Sequence, residues 1–136
     1  MKVIVDTCVW SLALRRQTIN ENDPYIFELR ELIKEVRAQM LGPIRQEILS
    51  GIPSQPQFDK LKNYLSAFPD LDLGMEVYEA AARYFNISRS KGIQGSNTDF
   101  LICAVSNIHK MPILTIDNDF TRFQKYISFE LHRPRM

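Results

Sequence analysis

Met1-Lys2-Val3-Ile4-Val5-Asp6-Thr7-Cys8-Val9-Trp10 is the stretch on which the fold turns. Val3, Ile4 and Val5 are β-branched and apolar, so a strand through them has no polar face. Such a run suits a strand buried on both sides of a sheet, as parallel strands are when helices cover them. It stops at Asp6-Thr7, two residue types that favour a helix N-cap. Val9, Trp10, Leu12, Ala13 and Leu14 then read as a short helix. A buried strand that passes at once into a helix predicts an α/β chain. It also sets an acid at the carboxyl end of a strand, where such sheets bind ligands.

Outward from this start, the pattern continues. Asn20-Glu21-Asn22-Asp23-Pro24 is a polar break whose proline suits a first helical turn. Ile26, Leu29, Ile33 and Val36 recur at helical spacing, with Glu28, Glu31, Lys34 and Glu35 between them, as in an amphipathic helix. Gly42-Pro43 opens a short helix through Ile44 to Leu49, closed by Gly51. Phe58, Leu61, Leu65 and Phe68 form another helical stripe, and no strand is read between residues 20 and 68. Leu71 and Leu73 alternate with Asp70 and Asp72, which predicts a short strand. Met75 to Arg89 is an alanine-rich helix, and Lys91 to Gly95 a loop. Asp99 to His109 is strongly apolar and reads as a buried helix. Pro112-Ile113-Leu114-Thr115-Ile116 is a second apolar strand. Asn118 to Tyr126 reads as a short helix and Phe129-Glu130-Leu131 as a closing strand. The whole, residues 1–136, reads as one domain, an α/β sandwich with a central, mostly parallel sheet.

Composition narrows the function classes. Seventeen Lys and Arg stand against sixteen Asp and Glu, a net charge of +1. A protein that held nucleic acid by bulk electrostatics would carry a clear basic excess. Either nucleic acid is not the partner, or the acids gather in one place and leave basic surface elsewhere. No apolar run nears the ~20 residues that span a bilayer, so no membrane role is read. The opening apolar run is too short for a signal peptide and carries Asp6. Cys8 and Cys103 form no metal-type pair, which fits a cytoplasmic protein with reduced thiols.

The acids do gather. Asp6 follows the first strand, and Asp117 and Asp119 follow the second. Asp99 opens the most apolar helix, and Glu47 lies in the short helix after Pro43. In a parallel sheet both strand ends share one edge, so four or five carboxylates could meet there. Gathered like charges repel, and burial makes it worse. A divalent cation relieves both, and hard oxygen ligands suit Mg²⁺ or Mn²⁺. Each acid has a plainer reading. Asp6 could simply cap the first helix, and Asp99 stands three residues after Ser96, the spacing of a capping box. Asp117 and Asp119 could cap a helix, and Glu47 alone could be a solvated helix acid. Convergence, rather than any one residue, is the signal.

Val-Ile-Val-Asp6-Thr7-x-Val-Trp10, Asn97-Thr98-Asp99-Phe-Leu-Ile-x-Ala104 and Leu114-Thr115-x-Asp117-x-Asp119-Phe120, in this order and spacing, resemble the PIN-domain nucleases. Within them the chain is most similar to the VapC toxins of bacterial toxin–antitoxin pairs, over essentially its whole length. The resemblance implies a PIN fold and a Mg²⁺- or Mn²⁺-dependent endoribonuclease that leaves a 5′-phosphate and a 3′-hydroxyl. Asp6, Glu47, Asp99 and Asp117 match the four acids, with Asp6 and Asp99 as principal metal ligands. Asp119 follows closely, and the motif does not decide which of Asp117 and Asp119 faces the site. Thr7 matches the hydroxyl residue beside the first acid, and Thr115 and Ser96 stand where they could support the acids or the phosphate. Cys8 replaces the commoner Ser or Asn, and Gly95-Ser96-Asn97-Thr98 replaces a simpler loop. The resemblance further implies a homodimer, a VapB-like antitoxin and an RNA substrate, with transfer and ribosomal RNA both open.

Other residues read as follows. Arg15 and Arg16, after the first helix, are candidates for RNA or for an acidic antitoxin segment. Trp10 reads as packing, with base stacking second, and Phe120 as a prop for the Asp117 turn. His132, Arg133 and Arg135 read as a solvated basic tail. An aspartyl phosphatase would want a second acid where Cys8 stands. A phospho-accepting receiver domain would want strands where residues 20–68 read as helices. The remaining alternative is a non-catalytic protein-binding module of the same fold.

Overall fold

β1 (Val3–Val5) is the middle strand of a three-stranded parallel sheet, ordered β2-β1-β3. Its three side chains point alternately to opposite faces, and all three are fully buried, so both faces of the sheet are covered. The structure is a computed structural model and describes residues 1–15 and 20–136. β2 (Ala38–Gln39) pairs Val3 with Ala38 and Ile4 with Gln39; β3 (Ile113–Leu114) pairs Ile4 with Ile113 and Val5 with Leu114. The helices are α1 (Thr7–Leu14), α2 (Pro24–Lys34), α3 (Gly42–Leu49), α4 (Gln55–Leu65), α5 (Met75–Ser90), α6 (Asn97–His109) and α7 (Asp119–Phe123). This is the α/β arrangement with a parallel central sheet that the sequence predicts.

α6 is the core helix. Its residues from Phe100 through Ser106 are all buried, which is why its sequence carries almost no polar face. It packs along α5, whose Val77, Ala80 and Ala81 are buried beneath it. Trp10 is fully buried and meets Phe68 edge-on at 5.0 Å, so it is core rather than a free stacking surface. Phe120 is fully buried between Phe123 and Phe129 and pins the turn that follows β3.

Several elements differ from the sequence reading. β2 lies inside the stretch read as strand-free. It is only two residues long and one of them is glutamine, so neither a run nor an alternation marks it. The Gln39 amide is buried because it donates to the carbonyls of Met40 (2.9 Å) and Pro69 (3.4 Å). Val36, read as part of the α2 stripe, lies beyond the helix end with φ of 56° and is 76% exposed. Leu32 takes its place in the core. The strands read at Leu71–Leu73 and Phe129–Leu131 shrink to single parallel bridges, Met40 with Asp70 and Ile113 with Leu131.

The largest correction concerns the tail. His132 and Arg135, read as solvated, close over Glu28, which the sequence pattern puts on the polar side of α2. The Glu28 side chain is 1% exposed. His132 Nε2 lies 2.7 Å from its Oε2, and Arg135 donates from Nε (2.8 Å), Nη2 (2.9 Å) and its backbone N–H (3.1 Å). Arg135 also reaches Glu35 at 2.9 Å. A glutamate beside Leu29 and Leu32 can be buried only if such partners satisfy it. Of the three, His132 is half-buried, while Arg133 and Arg135 both keep exposed surface.

Burial by itself would raise the Glu28 carboxyl, but the hydrogen bonds from Arg135 and His132 outweigh it and hold it at about 2, below the usual 4.5. A carboxyl lowered in the folded state stabilises the fold above its unfolded value and loses that contribution as pH falls through its folded value. The clasp therefore contributes fully above about pH 4.5 and fades toward pH 2. We expect Glu28→Gln to lower stability at neutral pH by about 2 kcal/mol. In acid denaturation, the gap between variant and wild type should narrow toward pH 2; a gap constant across the range would exclude this role.

Candidate active site

Four separate parts of the chain meet beyond the carboxyl ends of β1 and β3. Asp6 comes from the end of β1, Thr7 and Cys8 from the start of α1, Glu47 from α3, Asp99 from the first turn of α6, and Asp117 from the turn after β3. All six line one open cleft of about 610 Å³. The sheet dictates the meeting. Because β1 and β3 run parallel and in register, their carboxyl ends share one edge, and the Asp6 backbone N–H donates to the Leu114 carbonyl at 3.0 Å.

Asp6 is buried, at 6% exposure. Its Oδ1 accepts from the Thr7 backbone N–H at 2.8 Å. Its Oδ2 accepts from the Thr115 hydroxyl at 2.8 Å and from the Cys8 thiol at 3.4 Å. Thr115 links two acids, since its hydroxyl oxygen also accepts from the Asp117 backbone N–H at 3.0 Å. The Thr7 hydroxyl donates to Glu47 at 2.6 Å and so ties α1 to α3. Asp99 forms the capping box with Ser96: its backbone N–H donates to the Ser96 hydroxyl (3.1 Å), and the Ser96 backbone N–H donates to its Oδ2 (2.9 Å). Ser96 itself does not line the cleft; it aims Asp99.

Asp117 and Asp119 separate cleanly. Asp117 lines the cleft and is fixed by accepting the Asp119 backbone N–H at 2.9 Å. The Asp119 carboxylate instead engages Arg122 on the next turn of α7 and is not part of the cleft lining. Arg15 caps the end of α1 and lines a different groove, beside Leu14, Lys60 and Tyr64. Arg16 lies outside the described residues. On the α3 side, Pro43, Gln46 and Ser50 also line the cleft without having been singled out in the sequence. Pro43 stands four residues before Glu47 and Ser50 three after it, on its side of the helix, and that spacing is the signal that would have found these two; Gln46 adjoins Glu47 directly.

Electrostatically the cleft is one-sided. Among its lining residues four are carboxylates and none is Lys, Arg or His. Burial pushes the Asp6 carboxyl above its usual range, against the bonds from Thr115, Cys8 and Thr7; the charge of Asp99 adds to the rise. Asp99 is likewise raised, first by burial and then by the charges of Asp117 and Glu47, against its bonds to Ser96. The four acids thus act on one another. Burial also pushes the Cys8 thiol up to about 11, so it stands beside Asp6 as a neutral donor.

Oxygen donors with unbalanced negative charge suit a hard divalent cation. As the side chains stand, no three His, Cys, Asp or Glu among the described residues are close enough together to hold one. Ligation would draw the carboxylates inward, and Glu47, being exposed on a helix face, has room to move.

The fold has clear relatives among solved structures, although no family model and no curated protein matches the sequence. The crystal structure of FitAcB from Neisseria gonorrhoeae contains a chain that superposes with a TM-score of 0.75 at 20% identity, covering 97% of each chain. VapBC2 from Rickettsia felis, bound to a DNA fragment from their promoter, gives 0.72 at 18%, over 97% of this chain and 98% of that one. VapBC-5 from Mycobacterium tuberculosis, a member of the VapBC family of toxin–antitoxin systems, gives 0.67 at 17% with the same coverage. The chain shares its fold, nearly end to end, with chains of toxin–antitoxin complexes.

Asp99 depends on a tight approach next to its cap. A Cβ on Gly95 would lie 2.7 Å from Phe123 Cζ and 2.9 Å from Phe100 Cζ, closer than carbon atoms pack. The backbone there runs against the aromatic core, which sets the start of α6. Gly95→Ala should therefore destabilise the fold by about 1–3 kcal/mol, whereas Gly92→Ala, with nothing within 4 Å but a φ of +75°, should act through backbone strain alone. Thermal denaturation of both variants, with amide exchange along residues 95–99, checks this. Undisturbed exchange in Gly95→Ala would show that the loop does not hold Asp99.

Proposed function

We propose that the chain is a Mg²⁺- or Mn²⁺-dependent endoribonuclease, the VapC-like toxin of a toxin–antitoxin pair. The observation that carries this reading is the cleft itself: Asp6, Glu47, Asp99 and Asp117 face one another with no basic side chain among them. A fold that keeps such acids mutually exposed bears a standing repulsion, and a pure binding module has no use for it. The shared fold with chains of toxin–antitoxin structures supports the biological setting. RNA and an antitoxin would both be met in the cytoplasm. Among the described residues no helix is long and apolar enough to cross a membrane.

Asp6 and Asp99 would hold the ion, since Asp6 is the most buried acid of the set and the two are fixed by the β1–α1 turn and the α6 cap. A divalent ion bound there offsets phosphate charge and makes water a better nucleophile at neutral pH. Glu47 and Asp117 flank that position and would orient the attacking water and take its proton. Thr115 holds the inner oxygen of Asp6, and Thr7 holds Glu47, so the two hydroxyls set the aim of acids on opposite walls. Water would add to phosphorus as the bond to the 3′ oxygen breaks, and the departing 3′ oxygen would take a proton from solvent, which leaves a 5′-phosphate and a 3′-hydroxyl. Arg15, outside the cleft, would contact a more distant part of the RNA or the antitoxin. The chain would act as a homodimer with a VapB-like antitoxin as partner.

Single-stranded RNA incubated with the purified chain should be cut only when Mg²⁺ or Mn²⁺ is added. Asp6→Asn or Asp99→Asn should lower that cleavage at least about 100-fold while leaving the fold intact. Relief of repulsion should leave each variant at least as stable as wild type without metal. Mg²⁺ should raise the melting temperature of wild type and raise it less in the variants. Wild-type cleavage by Asp99→Asn would exclude the assignment, and a melting temperature indifferent to either ion would favour the binding module.

A further inference from the structure

A second cavity, of about 330 Å³, opens beside the acid cleft on the α5–α6 side. The two adjoin, since Pro43 and Thr98 line both. Its floor is Ala81 and Leu101, both buried, and one wall is the ring of Tyr78, which is 53% exposed. No charged side chain lines it. The hydrogen bonds at the start of α6 run between Ser96 and Asp99. The neighbouring Asn97 amide and Thr98 hydroxyl, both in this lining, make none among the described residues.

These features select a class of ligand. The lining offers a phosphate no cationic side chain. An apolar slot with a few free polar groups takes a neutral planar molecule, and its volume lies in the range of small-ligand sites. An exposed aromatic ring beside an unpaired amide is the combination that receives an unstacked nucleobase: the ring stacks on its face and the amide reads its edge. The shared border with the acid cleft would place such a base beside the phosphate under attack.

We propose that this cavity is the nucleobase subsite of the enzyme, with Tyr78 as the stacking residue and Asn97 and Thr98 as the groups that read the base edge. The assignment rests on the ribonuclease reading. It makes the choice of cleavage site depend on the nucleotide flanking the scissile bond, and it assigns that choice to α5 and the first turn of α6. A partner copy in a homodimer would then use another face.

Tyr78→Ala should raise KM for single-stranded RNA about tenfold, leave kcat nearly unchanged and flatten the base preference at cleavage sites, with Tyr78→Phe close to wild type. A short single-stranded RNA with 5-iodouridine in place of uridine, bound to the Asp99→Asn chain with Mg²⁺, should crosslink at Tyr78 on irradiation. Unchanged KM and cleavage profile in Tyr78→Ala, without that crosslink, would overturn the subsite while the ribonuclease reading stands. If Tyr78→Ala instead splits a dimer in sedimentation, the face is a contact between copies and the subsite is wrong. Should wild type fail to cleave RNA at all, the ribonuclease reading falls, and the crosslink alone decides whether the cavity takes a base.

Discussion

The parallel pairing of β1 with β3 is the constraint on which the rest of the molecule depends. It joins residues 4–5 to residues 113–114, nearly the full length of the chain apart. Through it the Asp6 amide meets the Leu114 carbonyl, and one residue further on the Thr115 hydroxyl meets the Asp6 carboxylate. A slip of one residue would turn Val5 and Leu114 to the opposite faces and carry Thr115 away from Asp6. Register is held because every side chain of β1 is buried and has no solvent face to exchange with. The core therefore fixes the cleft, and the acids need no contact of their own to arrive at one edge.

Much of this was legible from sequence, for identifiable reasons. β1 and β3 are apolar throughout and α6 is apolar and buried along its middle, so burial alone announces them. Asp6, Asp99 and Asp117 sit at the junctions where those elements begin or end, and a parallel sheet forces the junctions together. What was not legible depends on partners distant in sequence. β2 is two residues with a buried glutamine that finds its acceptors at Met40 and Pro69. Glu28 looks like any solvated helix acid until His132 and Arg135, more than a hundred residues later, close over it. Asp117 and Asp119 differ only because Arg122 stands one turn after Asp119. In each case the sequence shows the polar residue but not the group that satisfies it.

The near-neutral net charge is better understood by location. Four of the sixteen acids line one cleft from which basic side chains are absent. Several others are paired: Glu21 with Arg30, Asp70 with Arg45, Asp119 with Arg122, and Glu28 and Glu35 with Arg135. A total of +1 thus hides a strongly negative hollow and a surface elsewhere more basic than the sum suggests. For a polyanion such as RNA, that hollow repels until its charge is offset, so association should be governed by the local field rather than the total.

Two buried acids in this fold have opposite fates, and the contrast locates function. Glu28 and Asp6 are both nearly inaccessible. Around Glu28 the chain supplies a guanidinium and an imidazole, and its carboxyl is held far below the usual range. Around Asp6 it supplies a hydroxyl, a thiol and a backbone N–H as donors, with the charge of Asp99 nearby, and the carboxyl is raised. Hydrogen bonds orient Asp6 without neutralising it. A sequence optimised only for stability would give Asp6 a cation, as it gives Glu28 one. Instead the fold fixes the geometry of the acids and leaves their charge unbalanced, and that deficit is what the proposed divalent ion would offset.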